Sequence, residues 1–514
     1  MRWTEHRVHL ILLLLFAAVI VCMRLHTYTE PLERDLDIYA WIGHYLLQGR
    51  SLYTDLVDIK PPAVFVTYAL AELAVGMGPA QAYLLGVVAA IATLLGLYWL
   101  GARSLQRPWL GIAAAACWTL LCSDLDVQAN QPNTEVFLNA AMVWGVALLW
   151  GLPAQRIAWK QTIGCGLLFL LASLYKPVVI APVALLLLLQ LARILPTAVT
   201  RRFGLIQIAI VTATGAIGWA LLLAWFWLHG SLVETWQILF VYPQEYARHA
   251  GQSLFENILL GFSAKNLLPA FFLPQAIILF VSVAAVLLGI AGERARLWRG
   301  YLVWLLGTIV AVALPGWFFP HYYQLLLPLL CVAIALMLDT LVQARGQRIA
   351  SAALVIFLAG FGIYRVLPQY RLDARAWSEH KYGSAFVDGA NLGAQLATQL
   401  KPQESLFVFG VYPGIYKYAG KSPPTGVMNL WLAFADYGYS LSPRLSAMVL
   451  AQLKKTPPDR VILDQYTWEL ATPADPIRQW LQANYRVTST QFGMGVAVPR
   501  TNVPTTVAPS ENPP

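Results

Sequence analysis

The sequence predicts an all-α polytopic membrane protein that ends in a small α/β domain. Of the 514 residues, 58% are hydrophobic and only 12% are charged, whereas a soluble protein has about 25% charged residues. The apolar residues occur in runs of the length that crosses about 30 Å of hydrocarbon. After residue 366 the composition changes to that of a soluble domain.

The apolar runs define the predicted membrane spans. We place spans near residues 8–26, 80–101, 109–123, 134–152, 162–175, 178–195, 204–228, 268–291, 300–315, 322–341 and 349–366. A further run at 62–77 is short for a regular span, so it is either a short span or a re-entrant segment. The sequence therefore predicts about 11 to 13 membrane helices.

Basic residues between the runs predict the topology. They form five clusters: Arg103/Arg107, Arg156/Lys160, Arg193/Arg201/Arg202, Arg294/Arg296/Arg299 and Arg345/Arg348. Cytoplasmic loops are enriched in Lys and Arg, and all five clusters are cytoplasmic if the N-terminus is inside and 62–77 does not cross. We therefore expect a multi-pass plasma-membrane protein with a cytoplasmic N-terminus. The net charge of +9 is explained by topology, and no nucleic-acid partner is expected.

Three regions follow from this organisation. Residues 1–366 are the predicted membrane module, with a first outer loop at 27–61, and residues 367–500 are a predicted α/β domain on the outer face. Within that domain we expect strands at 405–410 and 460–464, helices at 414–419 and 443–455, and a closing hairpin at 485–498. The Pro/Thr-rich tail at 501–514 is predicted to be disordered.

The first outer loop carries the most unusual charges. Asp35 and Asp37 follow the first span at once, and Lys60 precedes Pro61-Pro62 at the start of the next apolar run. The two acids are either solvated at the membrane surface, or supply a general base, or share a divalent cation. Lys60 either snorkels to the surface or provides a fixed cation for a lipid-linked phosphate. The spacing leaves these interpretations open.

Further candidates lie at other predicted outer corners. Glu135 is expected in the first turn of a membrane helix, where the helix dipole favours an anion. Lys176 and His321 begin two other helices, and each is either a structural residue or a contact for an anionic substrate. Tyr246 and Arg248 lie in the loop at 229–267, which is either a lid over a substrate or a solvated amphipathic loop.

The combination of these residues resembles the GT-C glycosyltransferases. The matching series in the first outer loop is Asp35…Tyr39…Leu46…Gly49…Tyr53…Asp55…Asp58…Lys60-Pro61-Pro62. Further matches are Asn133-Thr134-Glu135, Tyr175-Lys176-Pro177 and Pro320-His321-Tyr322-Tyr323 with Pro328. The most similar group is the bacterial branch related to protein O-mannosyltransferases and to the lipid A aminoarabinose transferase, families 39 and 83. The match covers roughly residues 5–365.

The resemblance implies an integral membrane glycosyltransferase. Such an enzyme transfers a hexosyl or pentosyl group, with inversion, from a polyprenyl-phosphate donor to a lipid, glycan or protein acceptor at the outer face. It implies Asp35 as the base, Glu135 as a second acid, and Lys60, Lys176 and His321 as ligands of the donor phosphate. Substrate contacts are expected from Tyr39, Tyr53, Asp58, Tyr246 and Arg248. Leu36-Asp37 stands where many members have Glu-Gly, so either Asp35 or Asp37 is the base.

Two other classes of protein fit the hydropathy. A transporter or lipid flippase should have internal repeats and charges at mid-membrane depth, whereas these charges lie at helix ends. A lipid-linked glycan polymerase or ligase should have a large loop rich in Arg and His instead of an acidic first loop. No cofactor motif is present, and a divalent metal stays an open alternative.

Overall fold

The computed structural model shows a helical bundle joined to a small mixed sheet. It describes residues 3–194, 198–270, 295–343, 366–434 and 438–500, together with residues 353, 356, 357 and 360–364. The predicted span near 268–291 lies largely outside these residues, half of the span near 349–366 lies outside them, and the predicted tail at 501–514 lies wholly outside them.

The bundle is built from helices of very different lengths. In chain order they are α1 (Trp3–Leu25), α2 (Arg34–Leu47), α3 (Ala63–Val75), α4 (Pro79–Trp99), α5 (Pro108–Leu121), α6 (Thr134–Trp150), α7 (Trp159–Tyr175), α8 (Ile180–Ile194), α9 (Ala198–Leu228), α10 (Leu232–Trp236), α11 (Tyr242–His249), α12 (Leu254–Gly261), α13 (Ala264–Ala270), α14 (Ala295–Ala313) and α15 (Leu327–Gln343). A π-helical turn at Leu100–Ser104 extends α4, and 3₁₀ turns at Pro177–Val179 and Pro320–Leu326 precede α8 and α15.

Within the described residues, six helical segments are long and apolar enough to cross a membrane. They are Glu5–Leu25, Pro79–Ser104, Pro177–Ile194, Ala198–Leu228, Ala295–Ala313 and Pro320–Asp339. Three shorter apolar helices, α3, α5 and α6, accompany them. The chain is therefore a multi-pass membrane protein, and the total number of crossings stays a prediction.

The first outer loop is more ordered than the sequence predicts, because it contains α2. This helix packs against α3, and Gly43 allows the close approach, since a Cβ there would lie 2.9 Å from the backbone nitrogen of Ala69. With 13 residues, α3 is about 20 Å long, which is too short to cross the hydrocarbon core alone. The chain leaves α3 at Gly76, whose φ of +76° is readily adopted only by glycine.

The C-terminal part has the strands that the sequence predicts. Its elements are α16 (Ala374–Tyr382), α17 (Ala385–Gln399), β1 (Leu406–Phe409), α18 (Gly414–Tyr418), α19 (Ser442–Lys455), β2 (Arg460–Asp464), α20 (Gln465–Leu470), α21 (Pro476–Asn484), β3 (Tyr485–Gln491) and β4 (Met494–Pro499). The strand order is β1-β2-β4-β3, with β1 parallel to β2 and the other pairs antiparallel. All four residues of β1 are buried, which explains the continuous apolar run that predicted it.

This C-terminal part docks onto the first outer loop. The Val57 amide donates a hydrogen bond to the Gly426 carbonyl (2.9 Å), and the Arg444 guanidinium donates to the Tyr53 carbonyl (2.7 Å). A buried ion pair joins Lys381 Nζ of α16 to Glu30 Oε1 at 2.5 Å. The loop therefore lies between the membrane helices and the C-terminal part.

Candidate active site

Asp35 is positioned by the start of α2. Glu33 caps this helix, since its carboxylate accepts a hydrogen bond from the Asp35 amide at 2.9 Å. The Asp35 carboxylate then faces two cations, with Arg34 Nε at 3.0 Å and Lys60 Nζ at 3.5 Å. Burial alone would raise the pKa of Asp35, but Lys60 and Arg34 outweigh it and hold that pKa below its usual range. Asp35 is therefore an ionised carboxylate at neutral pH.

Lys60 is held by the loop that precedes α3. The Tyr53 hydroxyl donates to the Lys60 carbonyl at 2.8 Å, and the Asp58 carboxylate accepts from the Lys60 amide at 3.0 Å. Tyr53 itself has a φ of +69°, a strained conformation for a bulky residue, of the kind that clusters at functional sites. Burial would lower the pKa of Lys60, but the Asp35 and Asp58 carboxylates raise it above its usual range. The ammonium is therefore a fixed cation.

Glu135 and Lys176 form a second ion pair in the same region. Asn133 caps α6 by accepting from the Thr134 amide, and Glu135 lies in the first turn. Lys176, between α7 and the following 3₁₀ turn, places its Nζ 2.6 Å from Glu135 Oε1. The Glu135 side chain has no solvent exposure, whereas Lys176 retains 12%. Glu135 therefore holds Lys176 in place and is not itself open to a substrate.

The 3₁₀ turn before α15 brings His321 to the two ion pairs. Charges on Glu135, Lys176, Asp35 and Lys60 all act on the His321 imidazole. His321 Nδ1 lies 3.3 Å from Gln128 Oε1, and Gln128 has a φ of +58°. The adjacent Tyr322 places its ring 3.5 Å from Lys176 Nζ, a cation–π contact. These residues, Asp35, Lys60, Glu135, Lys176, His321 and Tyr322, are called the charged cluster below.

Asp37 is not part of the charged cluster. Side chains two apart on an α-helix point about 200° away from each other, so Asp37 faces the C-terminal part. A Cβ on Gly414, at the start of α18, would overlap Asp37 Oδ2. The side chain is 2% exposed, and burial raises its pKa to about 7 although Lys417 opposes the shift. The geometry thus separates two acids that the sequence left equivalent.

The residues expected to contact substrate have different surroundings. Tyr39 is fully buried and donates to Asn133 Oδ1 at 3.2 Å. Tyr53 and Asp58 are also buried and act on Lys60 as described above. Tyr246 in α11 is half-buried and lies close enough to Tyr322 for their hydroxyls to interact, so it reaches the charged cluster. Arg248 is exposed on the same helix, and its contact with substrate stays a prediction.

Two residues of the site were missed by sequence reasoning. Arg34 contacts the Asp35 carboxylate directly and also lies 4.9 Å from the ring centroid of Trp431 in the C-terminal part. Tyr322 packs on Lys176 and lies beside Tyr246. The available signals were the position of Arg34 beside Asp35 and the inclusion of Tyr322 in the motif around His321.

The donors around Asp35 do not match a divalent-metal site. In the described part of the chain, no group of three or more His, Cys, Asp or Glu side chains is arranged to hold a metal ion. Asp35 and Asp37 point apart, and the Asp35 carboxylate is already paired with Arg34 and Lys60. Among the described residues, the positive charge at this site is therefore supplied by lysine and arginine side chains.

Known structures share this architecture over nearly the whole chain. ArnT from Cupriavidus metallidurans bound to undecaprenyl phosphate matches with a TM-score of 0.57 and 17% identity, covering 98% of this chain and 99% of that one. The same protein in the apo state matches with a TM-score of 0.54 and 16% identity, over 95% and 97% of the two chains. The Archaeoglobus fulgidus oligosaccharyltransferase in complex with Zn and sulfate matches with a TM-score of 0.51 and 12% identity, over 96% and 74%.

No protein-family model matches the chain, and no curated protein matches it. ArnT, the lipid A aminoarabinose transferase, and the archaeal oligosaccharyltransferase both have the GT-C fold of membrane glycosyltransferases. At these identities the likeness establishes the fold alone. It confirms the resemblance and the fold class that the sequence predicts, and we conclude that this multi-pass membrane protein has the GT-C fold.

Proposed function

We propose that the protein is a membrane glycosyltransferase that moves a sugar from a polyprenyl-phosphate donor to an acceptor hydroxyl at the membrane surface. The observation that carries this proposal is the Asp35–Lys60 ion pair, with N and O atoms 3.5 Å apart, beside the Glu135–Lys176 pair and His321. A transfer of this kind needs a carboxylate for the acceptor proton and cations for the departing phosphate. The structure of ArnT with bound undecaprenyl phosphate supports the class of donor.

The two residues of this ion pair have different roles in the proposed reaction. Asp35 accepts the proton of the acceptor hydroxyl as its oxygen forms a bond to the anomeric carbon of the sugar. The bond from that carbon to the phosphate oxygen breaks, and the electron pair leaves on the polyprenyl phosphate. Lys60 stabilises the developing charge on that phosphate. Both side chains are reachable, because Asp35 is 12% and Lys60 16% exposed.

Donor binding also prepares the base. In the free protein, the pKa of Asp35 is low, so its carboxylate is a weak base. A donor phosphate that binds Lys60 neutralises the cation that lowers the pKa of Asp35 most, and thereby raises this pKa toward that of a useful base. The order of events is then built into the site, since the acceptor is activated only when the donor is present.

Lys176 and His321 complete the proposed phosphate site. Lys176 is aligned by Glu135 at 2.6 Å and by the Tyr322 ring at 3.5 Å, and His321 shares the same space. In this proposal Glu135 is a positioning residue, since it has no exposure. Tyr39, Tyr53 and Asp58 likewise shape the loop, while Tyr246 and Arg248 remain candidate substrate contacts.

The proposed orientation puts the charged cluster on the outer face of the plasma membrane. In this orientation residues 1–366 are the catalytic module, residues 367–500 cover it from outside, and the N-terminus is cytoplasmic. The basic residues at the far ends of the spanning helices, such as Arg103 after α4, support it through the positive-inside rule. A lipid, a glycan or a protein is the acceptor, and the sugar is a hexose or a pentose.

The test compares two isosteric variants on one helix turn. Transfer of label from synthetic undecaprenyl-phosphate sugars is measured with the purified full chain, with Asp35→Asn and with Asp37→Asn. We expect Asp35→Asn to lower the rate of transfer at least about 100-fold, as removal of a general base does. Asp37→Asn, which faces the C-terminal part, should keep a rate within about threefold of wild type, as for a group outside the reaction.

Donor binding separates a lost base from a lost fold. Asp35→Asn should still bind undecaprenyl phosphate, because Lys60, Lys176 and His321 are intact. Full transfer by Asp35→Asn, or equal losses in both variants, would overturn the assignment of Asp35. Absence of transfer from any polyprenyl-phosphate sugar by the wild-type protein, despite binding of undecaprenyl phosphate, would point to the transporter or flippase class instead.

A further inference from the structure

A second polar site lies at the other end of the bundle. A cavity of about 210 Å³ is lined by Ser104, Leu105, Trp150, Arg193, Arg296 and Leu297. Its volume is that of about seven water molecules at about 30 Å³ each, which is room for a phosphate group. We call this cavity the arginine pocket.

The arginine pocket is remote from the charged cluster. Helix α6 begins beside Glu135 in the charged cluster and ends at Trp150 in the pocket. Its 17 residues span about 25 Å, which is close to the thickness of the hydrocarbon core. In the same way α8 begins just after Lys176 and reaches Arg193 in its last turn. The pocket therefore lies at the opposite membrane face.

The charges of the arginine pocket are not balanced by the described residues. Arg193 donates a hydrogen bond to the Arg296 carbonyl at 3.2 Å. The charged groups that act on it are two further cations, Arg296 and Arg299. Within residues 3–194, 198–270 and 295–343, no carboxylate forms an ion pair with Arg193 or Arg296. This contrasts with Lys60 and Lys176, which both have carboxylate partners.

The lining combines these cations with an apolar wall. Gly300 lies against the pocket, and a Cβ there would be 3.0 Å from Trp150 and 3.2 Å from the Arg193 guanidinium. The glycine thus leaves the guanidinium room beside the indole. An arginine fork suits the paired oxygens of a phosphate, while Trp150 and Leu297 suit the glycerol and first methylenes of a lipid. Basic pockets between membrane helices have this composition where they hold anionic headgroups.

We propose that the arginine pocket is a binding site for a phosphate group, carried by an anionic lipid headgroup or present as free phosphate. The site is separate from the proposed transfer reaction and does not depend on it. Its occupant neutralises Arg193 and Arg296 and joins the ends of α4, α6 and α8 to the start of α14. The protein is then stabilised by an anion at the face opposite the charged cluster.

The experiment uses two double variants with the same change in charge. Arg193→Gln/Arg296→Gln removes both arginines of the pocket, whereas Arg201→Gln/Arg202→Gln removes two exposed arginines near the start of α9. Binding of phosphatidylglycerol, with phosphatidylcholine as the neutral reference, is counted by native mass spectrometry of the purified full chain. The thermal midpoint is measured in parallel with inorganic phosphate and with sodium chloride of equal ionic strength.

We expect the preference for phosphatidylglycerol over phosphatidylcholine to fall at least about tenfold in the pocket variant. The surface variant should keep the wild-type preference. Stabilisation by inorganic phosphate would identify free phosphate as sufficient, and stabilisation by phosphatidylglycerol alone would identify the lipid headgroup. The single variant Arg296→Gln, at an exposed position, gives the same comparison should the double variant fold poorly. Equal losses in pocket and surface variants, or no response of the wild type to either anion, would overturn the proposal.

Discussion

The two sides of the first outer loop differ in what their charges contact. On the side of the membrane helices, Asp35 and Lys60 pair at 3.5 Å and keep 12% and 16% exposure. On the side of the C-terminal part, Glu30 and Lys381 pair at 2.5 Å with 2% and 0% exposure. Asn130 completes this second pair, since it accepts from Lys381 and donates to Glu30.

The two ion pairs differ in whether a substrate could reach their charges. Burial and an ion-pair partner are common to both sides, so neither property marks a catalytic group. The Glu30–Lys381 pair is closed to solvent and joins two parts of the fold, whereas the Asp35–Lys60 pair adjoins Lys176 and His321 and stays partly open. In the function proposed above, residual exposure beside a second ion pair distinguishes the Asp35–Lys60 pair from a purely structural contact.

The largest effect that would test this distinction is expected from Lys60. Lys60→Met should lower transfer by about 100-fold to 1,000-fold, as loss of one group that stabilises developing charge does, and should weaken binding of undecaprenyl phosphate. Lys60→Arg keeps the charge and should retain part of both. Initial rates and binding of undecaprenyl phosphate are measured on the purified protein.

A lysine remote from the site provides the control for Lys60. Lys455 at the end of α19 is exposed, and Lys455→Met should change neither rate nor binding. If Lys60→Met bound undecaprenyl phosphate as tightly as the wild type, Lys60 would not be a phosphate ligand. The Asp35–Lys60 pair would then differ from the Glu30–Lys381 pair in exposure but not in function.

Much of the fold could be predicted from the sequence because hydropathy and local patterns determine it. The buried strand β2 (Arg460–Asp464) has the bounds that its apolar run predicts. The sequence does not predict α2, because its residues lie in a charged segment between two apolar runs, although Asp35 and Asp37 in its first turn are typical of a helix start. Once this helix is known, the spacing of Asp35 and Asp37 assigns them to opposite sides.

The contacts of the charged cluster were beyond the reach of sequence patterns. Glu135 and Lys176 are 41 positions apart, and their pairing depends on how α6 and α7 pack. The Glu30–Lys381 pair joins the first outer loop to α16, at the far end of the chain. One sequence shows which residue types lie at helix ends, but the choice of partner among several carboxylates is set by tertiary packing.

A smaller effect on transfer is expected when the Glu30–Lys381 ion pair is broken. Lys381→Met leaves the Glu30 carboxylate buried without its cation, and breaking a buried ion pair costs about 3–5 kcal/mol. We expect the C-terminal part to undock more often, so that hydrogen exchange in α16 and α17 becomes faster. Transfer should fall less than in Lys60→Met, because the charged cluster itself is unchanged.

A double variant separates the buried charge from the loss of packing. Glu30→Gln/Lys381→Met removes both charges, and it should recover most of the protection from exchange, because no uncompensated charge remains. If Lys381→Met exchanged at the wild-type rate, this ion pair would not hold the C-terminal part in place. The Glu30–Lys381 pair would then not join the first outer loop to the C-terminal part in the way inferred above.

The smallest expected effect is a pH dependence from Asp37. Burial raises the pKa of this carboxyl from 3.8 to about 7, so the folded protein holds a proton that the unfolded chain releases. The stability from this proton is full below pH 3.8, declines as pH rises, and is lost above about pH 7. At about 1.4 kcal/mol per unit, the loss is at most about 4 kcal/mol. Asp37→Asn cannot ionise, so its thermal midpoint relative to wild type should rise between pH 5 and pH 8. A constant or falling difference would show that Asp37 is ionised in the folded protein. Asp37 would then have the same charge as Asp35 on the other side of the loop.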